Sequence, residues 1–187
     1  MLPAQDLATR PSPELVRVDE KMPGILIKLR YATVQNFTGK RIYPANATAW
    51  LRPETVKQLK IVQQVLRKQG YQLVIWDAYR PAWAQEKLWE ACPDENFVAP
   101  PKQGSRHTRG TTVDVGMADL QGNLVEMPTD FDSFSPQASH YARNLSRMAG
   151  EHREILRQAF FKNGFSGVPA EWWHYDLIEW NRYPLLP

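Results

Sequence analysis

The stretch that most constrains this chain is a helix–strand–helix run punctuated by Pro53, Gly70 and Pro81. Pro53 suits a first helical position, where its missing N–H would have had no partner anyway. Val56, Leu59, Val62 and Leu66 then recur at helical spacing and make one apolar face, and Gly70 is the stop. The spacing predicts a helix over 53–69. Tyr71–Trp76 follows as a short apolar run of strand length. It ends in Asp77-Ala78-Tyr79-Arg80-Pro81, where Pro81 biases Arg80 to an extended backbone and opens a second helix over 81–91. Asp77 and Arg80 therefore stand at the C-terminal end of a buried strand.

The rest of the chain reads around this unit. Leu15–Val18 and Ile25–Leu29 are strand candidates broken by Met22-Pro23-Gly24, and 31–49 is a loop. The β-branched run Gly110–Gly116 predicts a strand, and Leu124–Met127 a second one across the turn at 120–123. Ser135 to Asn163 reads as mostly helical, in two pieces near Gly150, with Leu156, Ala159 and Phe160 on the core face. Glu171–Ile178 is the last strand. Together these predict an α+β fold: a central antiparallel sheet flanked by helices, in a single domain over 15–187. Residues 1–14, rich in proline, are expected to form a flexible arm.

Composition excludes several classes. At 187 residues the chain fits one domain. No uncharged apolar run approaches the ~20 residues of a bilayer span, so no membrane association is expected. A net charge of +3 with scattered basic residues offers no stripe for nucleic acid. The N-terminus has no basic stretch followed by an apolar one, so the expected location is cytoplasmic. The pattern fixes no oligomeric state. The lone Cys92 excludes a disulfide framework and any Cys-rich zinc site, and beside Pro93, with no matched histidine, it makes a poor nucleophile. Histidine occurs only at 107, 140, 152 and 174, so a metal site here must mix histidine with carboxylate.

Two clusters carry the chemistry. One is Ser105-Arg106-His107-Thr108-Arg109-Gly110-Thr111-Thr112-Val113-Asp114, and the other is Glu171-Trp172-Trp173-His174. A hydrolytic zinc takes three protein ligands and keeps a position for water. His107, Asp114 and His174 would supply two imidazoles and one carboxylate, and Glu171 a base for the water. Positions seven apart face opposite sides of a regular strand, so His107 and Asp114 converge only if the chain turns at Gly110. The plainer reading stays open beside this one. His174 on an aromatic strand also suits a hydrogen-bonded core histidine. Asp114, disfavoured in strands, needs a partner that is an ion, an arginine or a backbone donor.

Ser-x-His-x-x-Gly-x-x-x-Asp followed by Glu-x-x-His resembles the D-alanyl-D-alanine dipeptidases of the VanX type. Tyr31-Ala32-Thr33 with Asn36-Phe37-Thr38-Gly39-Lys40, the run from Gly70 to Pro81, Phe131-Asp132, Ser139-His140 and Glu171–Tyr175 extend the likeness over most of the chain. The resemblance implies one zinc per chain, held by His107, Asp114 and His174, with Glu171 as general base and Arg80 steadying the oxyanion. It implies Ser105 on the substrate's carboxylate and Asp132 on its ammonium, with Tyr31 lining that end. Arg80 has a plain reading as the partner of Asp77, Asp130 competes with Asp132, and Ser105 has a plain reading as a loop hydroxyl. His140 and His152 are read as non-ligands in polar helical stretches. Thr112 departs from the alanine common in the zinc motif and adds a hydroxyl near the metal strand. The Cys92–Gly104 loop looks short.

The activity so implied is hydrolysis of a small free dipeptide, D-Ala-D-Ala. The alternatives are a D,D- or L,D-carboxypeptidase acting on peptidoglycan peptides, and a non-catalytic zinc-stabilised binding module such as the Hedgehog signalling domains, which resemble this fold. Retention of both Glu171 and Arg80 argues against the module.

Overall fold

Two long buried strands, Tyr71–Asp77 and Thr112–Asp119, pair antiparallel at the centre of the molecule. The structure is a computed structural model that describes residues 7–186. In chain order the elements are β1 (Val16–Arg17), α1 (Val18–Lys21), β2 (Leu26–Ile27), β3 (Trp50–Leu51), α2 (Pro53–Arg67), β4 (Tyr71–Asp77), α3 (Ala82–Ala91), β5 (Thr112–Asp119), α4 (Arg147–Phe161), β6 (Phe165–Gly167) and β7 (His174–Leu177). The main sheet runs β2-β4-β5-β7-β6, and β1 pairs with β3 apart from it.

The α+β class and the helix–strand–helix unit stand as expected, but the sheet is mixed. β2 runs parallel to β4 while the other pairs are antiparallel. The connection from β2 to β4 passes through a long loop and α2, and a crossover of that kind is what a parallel pair requires. Alternation divides the sheet into two faces. Leu73, Ile75, Val113, Val115 and Tyr175 share one face; Tyr175 stacks on Phe160 of α4 at 3.8 Å between ring centroids. Val74, Trp76, Gly116, Asp114, Thr112, His174 and Asp176 share the other. The helix-covered face is apolar, and the opposite face carries the polar side chains.

Four expectations need correction. The stretch 124–127 is not a strand: only an isolated bridge joins Ala118 and Leu124. The Asp119 carboxylate accepts from the backbone N–H groups of Gln121 and Asn123, which closes a compact turn, and Pro128 ends any extension. Between 135 and 163 the only helices are one turn of 3-10 helix, Pro136–Ala138, and α4, which starts where Ser146 Oγ accepts from Ala149 N and runs through Gly150 unbroken. The intervening chain is irregular because it is tied to another loop: His140 N and Ser139 Oγ both donate to the Pro169 carbonyl. The last strand starts at His174, since Glu171 N and His174 N bond within a turn instead.

The fourth concerns the arm. Its first six residues lie outside the described ones. From Leu7 onward it is packed, with Leu7 buried and its carbonyl accepting from the Trp50 indole N–H at 2.8 Å. A buried indole needs an acceptor, and no neighbouring side chain was needed to provide it.

Candidate active site

The site is built as one row across the sheet. Asp77 of β4, Asp114 of β5 and His174 of β7 are successive cross-strand partners. Regular pairing would set Asp77 opposite Val113 and point it at the helices. The register shifts between Ile75 and Asp77, so Asp77 faces Asp114 instead. This is a β-bulge re-aiming a side chain. Trp76 then lies over Gly116, where an added Cβ would come within 2.3 Å of the indole ring.

His107 reaches the same place from a 3-10 turn, His107–Arg109, closed by Gly110 in the left-handed region (φ 72°). Ser105 Oγ accepts from His107 N at 3.2 Å and shapes this turn. An added Cβ on Gly110 would approach Leu15 to 2.6 Å, so both its conformation and its space favour glycine.

His107, Asp114 and His174 are buried and bring ligand atoms within 4.8 Å of one another, the one such cluster among the described residues. The His107 Nδ1 lies 2.8 Å from the Ala78 carbonyl, which can only accept, so this nitrogen carries the proton. Nε2 then turns a lone pair toward Asp114 Oδ2 at 3.3 Å. His174 repeats the pattern. Its Nε2 faces Asp176 Oδ1 at 3.1 Å, and its Nδ1 faces Asp114 Oδ1 at 3.1 Å and Glu171 Oε2 at 3.4 Å. Lone pairs facing carboxylate oxygens demand a cation between them, either a proton or a metal. Two ligands of one tetrahedral zinc stand ~3.3 Å apart, given ligand distances of ~2.0–2.1 Å. The observed separations match, and Asp114 Oδ1 is buried without an aligned hydrogen-bond donor. The residues present therefore fit a zinc ion.

The charges around the cluster are consistent with this. Burial would raise Asp114, but His107 and His174 hold it below the usual carboxylate range. Burial works against a charged His174, yet Asp176 and Asp114 push it well above the usual imidazole value. Glu171 is raised, first by burial and then by the Asp114 charge.

Arg80 does pair with Asp77, through Nε at 3.0 Å and Nη2 at 2.8 Å, and its Nη1 donates to Gln85 at 2.9 Å. Tyr43 Oη donates to the other Asp77 oxygen at 2.7 Å. The pairing does not remove Arg80 from the site: its Nη2 is 3.8 Å from Asp114 Oδ2, and its guanidinium lies over the Tyr31 ring. A cavity of about 380 Å³ opens here, lined among others by Tyr31, Arg80, Ser105, Asp132, Glu171 and His174. Phe37, Phe97 and Phe134 wall it, with Phe97 and Phe134 4.3 Å apart between centroids.

Asp132 lines that cavity, while Asp130 is exposed and tied to Arg30 at 2.7 Å. Tyr31 Oη donates to Asp132 Oδ1 at 3.2 Å, and Oδ2 is buried without a partner. Burial and the charge of Asp114 push the Asp132 carboxyl well above its usual range, against the pull of Arg80. His140 and His152 stand outside the cluster. His152 lies in α4 and meets the Glu126 carbonyl at 2.8 Å. His140 is not helical, contrary to expectation; it is buried among Phe161 and Tyr175, and burial lowers it to about 4.

Sequence reasoning missed Asp176, Arg106 and Gln85. A signal for Asp176 was present, since position 176 shares a strand face with His174. The other two left none, because their contacts depend on how loops fold back.

The sequence description of the D-ala-D-ala dipeptidases, peptidase family M15, matches residues 11–184. A D-alanyl-D-alanine dipeptidase of Escherichia coli (strain K12) is 38% identical over 92% of this chain and 89% of its own length. One of Enterococcus faecalis is 31% identical over 89% of this chain and 92% of its own. Among solved structures, the LdcB LD-carboxypeptidase shares the fold at a TM-score of 0.51 and 17% identity, over 91% of this chain and 71% of that one. Among the described residues no helix is long and apolar enough to cross a membrane. With a match spanning nearly its whole length, and a site in which two histidines and an aspartate converge beside Glu171 and Arg80, this chain belongs to the D-ala-D-ala dipeptidase family of metallopeptidases.

Proposed function

We propose that this chain is a zinc dipeptidase that hydrolyses free D-Ala-D-Ala to D-alanine. The observation that carries this reading is the opening of one cavity onto the His107–Asp114–His174 cluster, Glu171, Arg80 and the unpartnered oxygen of Asp132. His107 Nε2, Asp114 and His174 Nδ1 would hold a zinc ion, which would supply a Lewis acid for the scissile carbonyl and would acidify water. Glu171 takes the proton of the attacking water and returns it to the leaving amine; its raised affinity for protons suits that exchange. Arg80 faces the carbonyl oxygen as it becomes negative. Because Asp77 and Gln85 hold the guanidinium in place, it stabilises that charge without first having to move. Asp132 receives the substrate ammonium, which supplies the charge its buried oxygen lacks, with Tyr31 beside it. Ser105 lines the same cavity beside the turn that carries His107, and it takes the carboxylate end.

Recognition at the amine end separates a dipeptidase from a carboxypeptidase. An acylated nitrogen is neutral and would leave Asp132 buried and unpaired. Turnover of D-Ala-D-Ala and of N-acetyl-D-Ala-D-Ala by the zinc-loaded protein tests the reading. Cleavage of the free dipeptide only is expected, and comparable rates on both would make the chain a carboxypeptidase. Glu171→Gln should lower kcat by about 10²–10⁴-fold with zinc content unchanged. An unchanged rate would remove Glu171 as the base, and absence of turnover in the zinc-loaded wild type would point to a binding module. The reading carries with it a cytoplasmic location, which cell fractionation tests.

A further inference from the structure

We infer that Asp176 is a positioning residue for the metal, fixing the ring of His174, and that Thr112 and Arg106 hold Asp176 in turn. The inference rests on the zinc reading above. Asp176 is fully buried. Its Oδ1 lies 3.1 Å from His174 Nε2 and 2.7 Å from Thr112 Oγ1, and its Oδ2 lies 2.5 Å from Arg106 Nη1. An ionised carboxylate only accepts, so the ring nitrogen, the hydroxyl and the guanidinium all donate to it.

The backbone makes this arrangement specific. Thr112 and Asp176 are cross-strand partners, and Asp114 and His174 are the next pair on the same face. The donors to Asp176 thus form a second row immediately beside the metal ligands. With Nε2 engaged as a donor, His174 has one tautomer, and Nδ1 is left with its lone pair toward Asp114 and Glu171. With its proton on Nδ1, His174 would turn an N–H rather than a lone pair toward Asp114 and Glu171.

The plain alternative is a structural ion pair between Arg106 and Asp176. Arg106 is 41% exposed and lies over the Trp180 ring, as a surface cation would. Asp176 does not fit that picture. A carboxylate serving only a surface pair would keep its second oxygen in water, whereas this one spends Oδ1 on an imidazole and on the buried hydroxyl of Thr112. Removing such an outer partner of a metal-bound histidine typically weakens metal binding 10- to 100-fold.

The test uses the full chain and zinc itself. Zinc affinity is measured by competition with a chromophoric chelator for wild type, Asp176→Asn and Thr112→Val, and Tm is measured with and without zinc. Asp176→Asn should bind zinc about 10–100-fold more weakly. Thr112→Val, which keeps the shape and removes only the donor, should bind it about 3- to 10-fold more weakly. In both, the rise in Tm on adding zinc should shrink by more than the zinc-free Tm falls. Wild-type zinc affinity in folded variants overturns the inference, and a lower zinc-free Tm with unchanged affinity assigns Asp176 to a structural ion pair. Should Asp176→Asn not fold, Thr112→Val alone decides by the same measure. If wild type itself takes up no zinc, the zinc reading fails first, and this inference with it.

Discussion

Asp132 Oδ2 is buried without a hydrogen-bond donor, and its backbone sits at φ 58°, a region where non-glycine residues are uncommon. Both features cost stability, and both aim a carboxylate into the cavity. Its native proton affinity is raised, so between the unfolded value near ~3.9 and the native one the folded chain binds the extra proton. Stability therefore falls as pH rises through that window. Asp132→Asn should melt above wild type at pH 8, with the gap closing toward pH 4, while losing turnover of D-Ala-D-Ala. Thermal melts across pH check this, and a variant that melts lower at every pH would remove the strain argument. Arg80→Lys should lower kcat about 100-fold or more at constant zinc content, since a lysine cannot hold Asp77 and Gln85 and face the cavity at once. Steady-state kinetics with a zinc assay check that outcome. At this scale the sequence was most readable where residue types are scarce. With only four histidines and one cysteine, few ligand sets were possible. The choice between Asp130 and Asp132 was not readable, because it turns on Arg30 holding the first at the surface.

Elements set directions that no residue sets alone. The bulge that turns Asp77 toward Asp114 sits where Trp76 covers Gly116. Gly116→Ala should destabilise the protein by about 1–3 kcal/mol through overpacking, seen as a lower midpoint in urea. It should also lower activity, because displacing Trp76 disturbs the bulge. The C-terminal segment is a second such device. Leu186 N donates to the Thr108 carbonyl, Arg109 donates to the Tyr183 carbonyl, and Leu185 fills the space over Gly104. These contacts brace the loop that carries His107. Helix 53–67 was legible from the spacing of its apolar residues, β4 from an apolar run of strand length and β5 from its β-branched residues. The brace was not, since it is made largely through backbone carbonyls, which leave no pattern in side-chain type. The single bridge at Leu124 shows the converse: a stretch read as a strand whose pairing with β5 stops after Val125 N donates to the Met117 carbonyl.

Across the whole molecule, the three side chains proposed to hold zinc, His107, Asp114 and His174, come from a turn and two strands, and His174 is far along the chain from the others. No such site exists in the unfolded chain, so zinc binding adds to folding free energy. At free zinc 100 times Kd the gain is about 2.7 kcal/mol, which corresponds to a Tm shift of about 5–10 °C for a chain of this size. Calorimetry before and after chelation should show one transition moving down by this amount. Two separate transitions would mean that the site and the core unfold independently. Asp114 and His174 are direct cross-strand partners. A slip of one residue between β5 and β7 would turn one of them to the helix-covered face. A mispaired chain therefore has no weakened centre; it has none. In a refolded sample, lost turnover should appear as fewer active molecules with an unchanged KM, so specific activity becomes a census of correct strand pairing.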